Sequence, residues 1–218
     1  MMFPESDTLV AFDWNGTLVN DLDRALKATN SVLVEYELPV IARNQFHEKF
    51  TLPLTTFFSE LGVPTGCEEL AAEIWNRNLA QHDPPPAMGA VEGLKDLSQA
   101  GYVCAVITAC SWSAFGADLS HVPLGKHLAL AFAGVDSKQY VLKRLRSWFS
   151  SVFYVGDTPY DLREAREADV VGVGVRGGYA PSERLAAAPH AALVDDLFGA
   201  VEFIKQVTPT VERVSKES

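Results

Sequence analysis

The stretch Leu9-Val10-Ala11-Phe12-Asp13-Trp14-Asn15-Gly16-Thr17-Leu18 runs four apolar residues into an acid and then into a Gly-Thr turn. Residues 9–12 have the length, composition and boundaries of a buried parallel strand. Asp13 then falls at the strand's carboxyl end, the edge where open α/β sheets hold their ligands. Gly16 lets the backbone turn sharply and come close to a ligand. A carboxylate in that position can act as a nucleophile or as a metal ligand. An ordinary strand closed by a capping Asp has the same local pattern, so the discrimination has to come from the rest of the chain.

Helical spacing follows at once. It predicts helices over residues 21–35, 42–50, 54–61 and 68–81, the last with Leu70, Ala71, Ile74, Trp75 and Leu79 on one face. Asp21 is placed to begin the first of these near its positive end. His82-Asp83-Pro84-Pro85-Pro86 closes the segment, because a proline run resists helix and acts as a stiff linker. From Met88 the pattern alternates. Helices are expected over 91–100, 111–119, 137–149, 160–168 and 195–207, and strands over 102–107, 128–132, 152–155, 170–175 and 192–194. The residues after Val207 are polar and predict no element. Such alternation implies a parallel sheet covered on both sides. The expected fold is therefore an α/β, Rossmann-like parallel sheet core formed by residues 1–18 and 87–218. An all-helical cap, residues 19–86, is inserted beside the strand that carries Asp13.

The 218 residues are 48% hydrophobic and 21% charged, which predicts a packed core rather than disorder. A net charge of −10 argues against general affinity for nucleic acid or for an anionic membrane surface. No apolar run approaches the roughly 20 residues that span a bilayer, and the short acidic N-terminus through Asp7 does not read as a signal peptide. Cys67, Cys104 and Cys110 are odd in number and lack metal-ligand spacing. A reducing cytoplasmic location is expected. Without secretion, the glycosylation match at Asn15-Gly16-Thr17 is expected to carry no glycan.

Three further sites fall at strand ends or helix starts of the same sheet: Thr108 after 102–107, Lys138 at the start of a helix, and Gly156-Asp157-Thr158-Pro159-Tyr160-Asp161 after 152–155. Taken in order with Asp13-Trp14-Asn15-Gly16-Thr17-Leu18, these pieces resemble the haloacid dehalogenase superfamily, in particular its phosphoglycolate-phosphatase-like hydrolases with a small helical cap. The resemblance covers residues 8–207. It implies a Mg²⁺-dependent hydrolase acting on a small phosphorylated metabolite, as a monomer or homodimer. Asp13 would be the nucleophile that forms an aspartyl phosphate. The Asp13 carboxylate, the Asn15 main-chain carbonyl and Asp157 would hold Mg²⁺, and Asp161 would bind a metal water or orient Lys138. Thr108, with backbone N–H groups such as that of Ala109, would hold phosphoryl oxygens, and Lys138 would neutralise charge shared by Asp13 and the transferring group. Trp14, Gly16 and Arg176 would border the substrate, Arg176 as an extra anion contact. Lys143 is a rival to Lys138, but it lies inside its helix.

Asn15 departs from the family pattern, which usually carries an acid there to protonate the leaving group and to activate water. An amide cannot shuttle a proton at neutral pH, and losing a general acid/base costs about 10²–10⁴-fold in rate. The phosphatase would then be slow, or would act on a leaving group that needs little protonation, or would take its proton from another group. Phosphonoacetaldehyde hydrolases also lack that acid, but they use a cap lysine, for which Lys27 and Lys49 are the candidates. Haloacid dehalogenases proper need no metal, and the Asp157 and Asp161 pair argues against them. A binding or regulatory protein on the same fold is the alternative outside enzymes. Specificity is expected from the aromatic stretch 46–58, with Trp112 and Arg176-Gly177-Gly178-Tyr179 as further candidates. The five histidines have no ligand spacing.

Overall fold

In the computed structural model, which describes residues 7–81 and 83–208, β1 (Thr8–Phe12) is buried along its whole length. It lies at the centre of a six-stranded parallel sheet with β2 (Val103–Ile107), β3 (Leu130–Phe132), β4 (Ser151–Gly156), β5 (Val171–Val175) and β6 (Ala192–Val194). The strand order is β3-β2-β1-β4-β5-β6, so the chain winds outward in both directions from β1. That is the arrangement that opens a ligand crevice at the carboxyl edge. Phe12 is in register with Val106 of β2 and Val155 of β4, which brings the residues that follow all three strands to one edge.

Both faces of β1 are covered, as expected of parallel strands. Val10 and Phe12 join a core that includes Leu94 and Leu97 of α5 (Ala90–Gln99) and Ala200 and Ile204 of α10 (Leu197–Val207). Leu9 and Ala11 face Leu142 and Leu145 of α7 (Lys138–Arg146) and Ala165 of α8 (Pro159–Glu167). Among the described residues, the elements between β1 and α5 are four helices: α1 (Leu22–Glu35), α2 (Arg43–Lys49), α3 (Leu54–Glu60) and α4 (Glu68–Leu79). The remaining helices are α6 (Trp112–His121) and α9 (Ser182–Ala186).

Several details differ from the sequence reading. Leu70 is 51% exposed, because the buried stripe of α4 is the narrower set Ala71, Ile74, Trp75 and Leu79. Helix α9 was not expected; its five residues bury only Leu185, too few to show a period. A 3₁₀ turn at Gly125–His127 delays β3, which begins at Leu130. Asp21 stands at the N-cap of α1, yet its side chain makes no capping bond. The expectations for the N-terminal leader, for His82 and for the tail beyond Thr208 fall on residues 1–6, 82 and 209–218, outside the described residues.

Helix α9 contributes one of the polar ties between the sheet core and the inserted helices. Arg184 Nη1 donates to three carbonyls around the end of α2: His47 at 3.3 Å, Glu48 at 2.5 Å and Phe50 at 3.4 Å. These are carbonyls that a helix terminus leaves without intrahelical partners. Charge-assisted bonds of this kind contribute about 1.5–3 kcal/mol. Substituting Arg184→Ala is expected to raise amide hydrogen exchange across residues 43–60 by at least about tenfold. Exchange in β1 and β4 should be unchanged, and an equal increase in those strands would mean that Arg184 supports the whole fold rather than this junction.

Candidate active site

Lys138 is the first residue of α7 and is fully buried. Ser137 precedes it and caps the helix through Tyr140 N, which fixes where the lysine stem leaves the backbone. Its Nζ lies 2.9 Å from Asp13 Oδ2 and 2.7 Å from Asp161 Oδ1. Asp161 is the third residue of α8, in a reciprocal capping box: Thr158 N and Oγ1 donate to its Oδ2, and Asp161 N donates back to Thr158 Oγ1. A helix-capping role and a site role are thus carried by the same carboxylate. The Tyr154 hydroxyl lies 3.2 Å from Asp161 Oδ1.

Asp157 is wholly buried. It accepts from Thr17 Oγ1 at 2.6 Å and from Tyr179 N at 2.7 Å. Gly16, at φ 74°, and Gly178 lie directly against it, and a Cβ on either would overlap the carboxylate. One oxygen from each of Asp13, Asp157 and Asp161 lies within 4.8 Å of the others. Burial raises the Asp13 carboxyl to about 6 against the pull of Lys138. Burial, reinforced by Asp161 and Asp13, holds Asp157 well above the carboxylate range. Burial alone would lower Lys138, but Asp13 and Asp161 outweigh it and hold the ammonium charged. Three buried carboxylates with one ammonium leave an excess of negative charge. Oxygen ligands of that kind fit a hard divalent cation such as Mg²⁺.

Thr108 stands at the end of β2, donating its N–H to Phe132 O at 2.9 Å. Its Oγ1 accepts from Cys110 N at 3.1 Å, which leaves its proton to donate. Asp13, Asn15, Thr108, Ala109, Lys138 and Thr158 line one pocket from the sheet edge, and Tyr179 borders it. Phe50, Leu52, Leu54 and Trp75 line it from the inserted helices.

Some expected site residues do not join this pocket. Trp14 turns its side chain into the core, where Nε1 donates to Asp118 Oδ2 at 2.8 Å and the ring meets Phe115 edge-on. Arg176 pairs with Asp195 at 2.7 Å and lines a separate cleft behind Gly16. Trp112 is 58% exposed and lies outside the pocket. Gly16 acts by lying against Asp157, as described above. Lys143, Lys27 and Lys49 are all exposed.

A second buried network was not visible in the sequence. Asp21 accepts from Asn15 Nδ2 at 2.7 Å, from Gly16 N at 2.9 Å and from Arg24 Nη2 at 2.8 Å. Arg24 also reaches both oxygens of Asp118, at 2.5 and 2.9 Å. Asn15 Nδ2 gives one of its two protons to the Asp21 carboxylate, and its Oδ1 acceptor stays available for other groups. Asn15→Asp would set a second carboxylate against Asp21 in a network that already has two acids and one Arg. Burial beside that acid raises the new group's pKa, so its cost is absent below the unfolded value of about 4 and grows as pH rises. The variant is expected to lose roughly 3 kcal/mol at pH 7.5 and little at pH 4.5. Adding Asp21→Asn should restore most of the loss. Denaturant unfolding at both pH values checks this, and a single variant as stable as the parent at pH 7.5 contradicts it.

A profile of the haloacid dehalogenase-like hydrolase family matches residues 10–175. A phosphoglycolate phosphatase of Caulobacter vibrioides is 30% identical over 209 residues, covering 82% of this chain and 84% of that protein. A Dickeya dadantii protein named "Probable phosphatase IndB" is 28% identical over 205 residues, covering 86% of this chain and 89% of its own length. Among solved structures, a hydrolase from Pseudomonas syringae superposes with a TM-score of 0.75 at 18% identity, covering 92% of this chain and 98% of that one. That likeness extends the agreement to the fold. With the parallel sheet, its strand order and the matched profile in agreement, the chain belongs to the haloacid dehalogenase-like hydrolase family.

Proposed function

We propose that the protein is a Mg²⁺-dependent phosphatase of a small phosphorylated metabolite, with Asp13 as nucleophile and residues 19–86 as a cap over the site. The observation that carries this reading is the ion-pair chain Asp13–Lys138–Asp161, with Asp157 beside it, at the carboxyl edge of β1 and β4. Asp13, Asp157 and the Asn15 main-chain carbonyl would hold the metal, with Asp161 supporting it through Lys138. The bound cation would supply charge neutralisation between the carboxylates and the phosphoryl oxygens.

The chain's own residues account for the remaining steps. Lys138 keeps Asp13 oriented and offsets the negative charge that gathers during transfer. Thr108 and the backbone N–H groups beside it hold the non-bridging oxygens. An Asp13 oxygen bonds to phosphorus as the alcohol oxygen leaves, and water then displaces Asp13 from phosphorus to release phosphate. Asn15 has no proton to give, so the departing oxygen takes its proton from solvent. Asn15 Oδ1 can accept a bond from the attacking water and orient it.

The names of the relatives favour phosphate esters over phosphonates. So does the exposure of Lys27 and Lys49, neither of which borders the pocket. A binding role on the same fold is favoured only by Asn15.

Phosphate release from phenyl phosphate tests the reading, because a phenol needs little protonation to leave. The expected result is turnover that requires Mg²⁺ and falls to background in Asp13→Asn, with Thr108→Val reduced by about 10²-fold. Turnover that survives chelation, or that survives Asp13→Asn, would rule out this chemistry.

The metal also predicts a pH effect. A carboxyl raised to about 6 in the folded protein favours folding at low pH and loses that contribution as pH rises from about 4 through 6. A cation can offset the loss only where the ligands are ionised. Mg²⁺ is therefore expected to raise the Tm more at pH 7.5 than at pH 5, and an equal rise at both would place the ion elsewhere.

A further inference from the structure

The walls of the pocket differ sharply in chemistry. The sheet edge brings Asp13, Asn15, Lys138 and Thr108, whereas the inserted segment brings Phe50, Leu52, Leu54 and Trp75. Trp75 has one polar atom, and it is turned to its own side: Nε1 donates to Thr29 Oγ1 at 3.1 Å. Among the described residues that line the pocket, Lys138 is the only cation, and Asp13 and Asp161 both hold it. The cations nearby are committed to other partners. Arg24 bridges Asp21 and Asp118, Arg184 binds the carbonyls at the end of α2, and Arg176 pairs with Asp195 outside the pocket.

We infer that the leaving group this pocket accepts is a small, neutral, apolar alcohol, and that esters whose leaving group carries a carboxylate or a second phosphate are rejected. The inference rests on the phosphatase reading and narrows it to a substrate class. The charge balance supports it. With all three acids ionised, as cation binding would require, they and Lys138 would carry a net −2, a divalent cation would bring that to zero, and the transferring phosphoryl group would restore the negative charge. A further anion on the leaving group would be buried against Phe50, Leu52, Leu54 and Trp75 with no second cation to meet it, and a buried charge without a counter-charge is strongly disfavoured. An alkyl or aryl group would instead cover those side chains.

The test compares two esters of the same shape. In isobutyl phosphate a CH(CH₃)₂ group stands where 2-phosphoglycolate has its carboxylate, and both leaving groups are primary alcohols. With Mg²⁺ present, kcat/KM is expected to favour isobutyl phosphate over 2-phosphoglycolate by about 100-fold or more. Leu52→Lys adds a cation to the apolar wall and should narrow that ratio by about tenfold, whereas Leu52→Met should keep it. Equal or better hydrolysis of 2-phosphoglycolate, with phenyl phosphate also turned over, would overturn the inference and leave the phosphatase reading intact. Failure on all three esters would overturn both.

Discussion

One ammonium among three buried carboxylates is the constraint on which the site depends. Lys138 is within 3 Å of both Asp13 and Asp161, and Asp157 adds a third buried acid within 4.8 Å. A hydrophobic core of equal volume would be at least as stable, because burying charge costs more than a partial set of pairings returns. The surrounding structure has to impose the arrangement. It does so with backbone geometry: β1 and β4 lie side by side, so that Asp13 N bonds Val155 O at 2.9 Å, and the capping box of α8 aims Asp161 inward. Each acid is set by a different element, and the sheet register fixes the distances between them.

The loop after β1 is held by a second set of charges, behind the first. Arg24 draws together Asp21, at the N-cap of its own helix, and Asp118, on α6. Asp118 in turn takes the Trp14 indole proton, and Asp21 takes protons from Asn15 and Gly16. Consecutive residues 14, 15 and 16 are thereby anchored through two carboxylates that one guanidinium joins. Asp13 sits at the start of this clamped segment. Its neighbour's ring is in the core, so the backbone beside Asp13 cannot rotate without unpacking Trp14 from Phe115. Buried networks in which every member has a partner fix one geometry in this way.

These two layers were not equally legible in the sequence. Asp13, Thr108, Lys138, Asp157 and Asp161 could be read because each stands at a strand end or helix start, where short-range pattern marks the position. Asp21, Arg24 and Asp118 could not. Arg24 and Asp118 are 94 residues apart, and each taken alone resembles an ordinary charged helix residue. Trp14 shows the same limit of local pattern. It follows a site residue in sequence, but a chain leaving a strand alternates sides, and the side chain went to the core that holds Val10 and Phe12. Arg176 lies on a loop adjacent to the site, yet the nearest acid available to it was Asp195, and periodicity carries no information about loop partners.

The closing of the pocket and the setting of Asp157 meet at Tyr179. Its N–H donates to Asp157 at 2.7 Å, and its carbonyl is 3.0 Å from His47 Nδ1 of α2. Its ring meets Phe50 and Phe46 edge-on, with centroids 4.7 and 5.5 Å away. Edge-on aromatic pairs are directional as well as apolar, so the ring fixes the orientation of the inserted helices and not only their proximity. Moving α2 away would remove both ring contacts and the His47 bond together. What then remained at Tyr179 would be a single peptide bonded to Asp157, on a loop that contains Gly177 and Gly178. The acid that burial already disfavours in its charged form would lose the packing that keeps its donor in place. The apolar wall therefore does more than line the pocket, because Phe50, one of its rings, also packs on Tyr179 and so holds in position the peptide N–H that Asp157 accepts from.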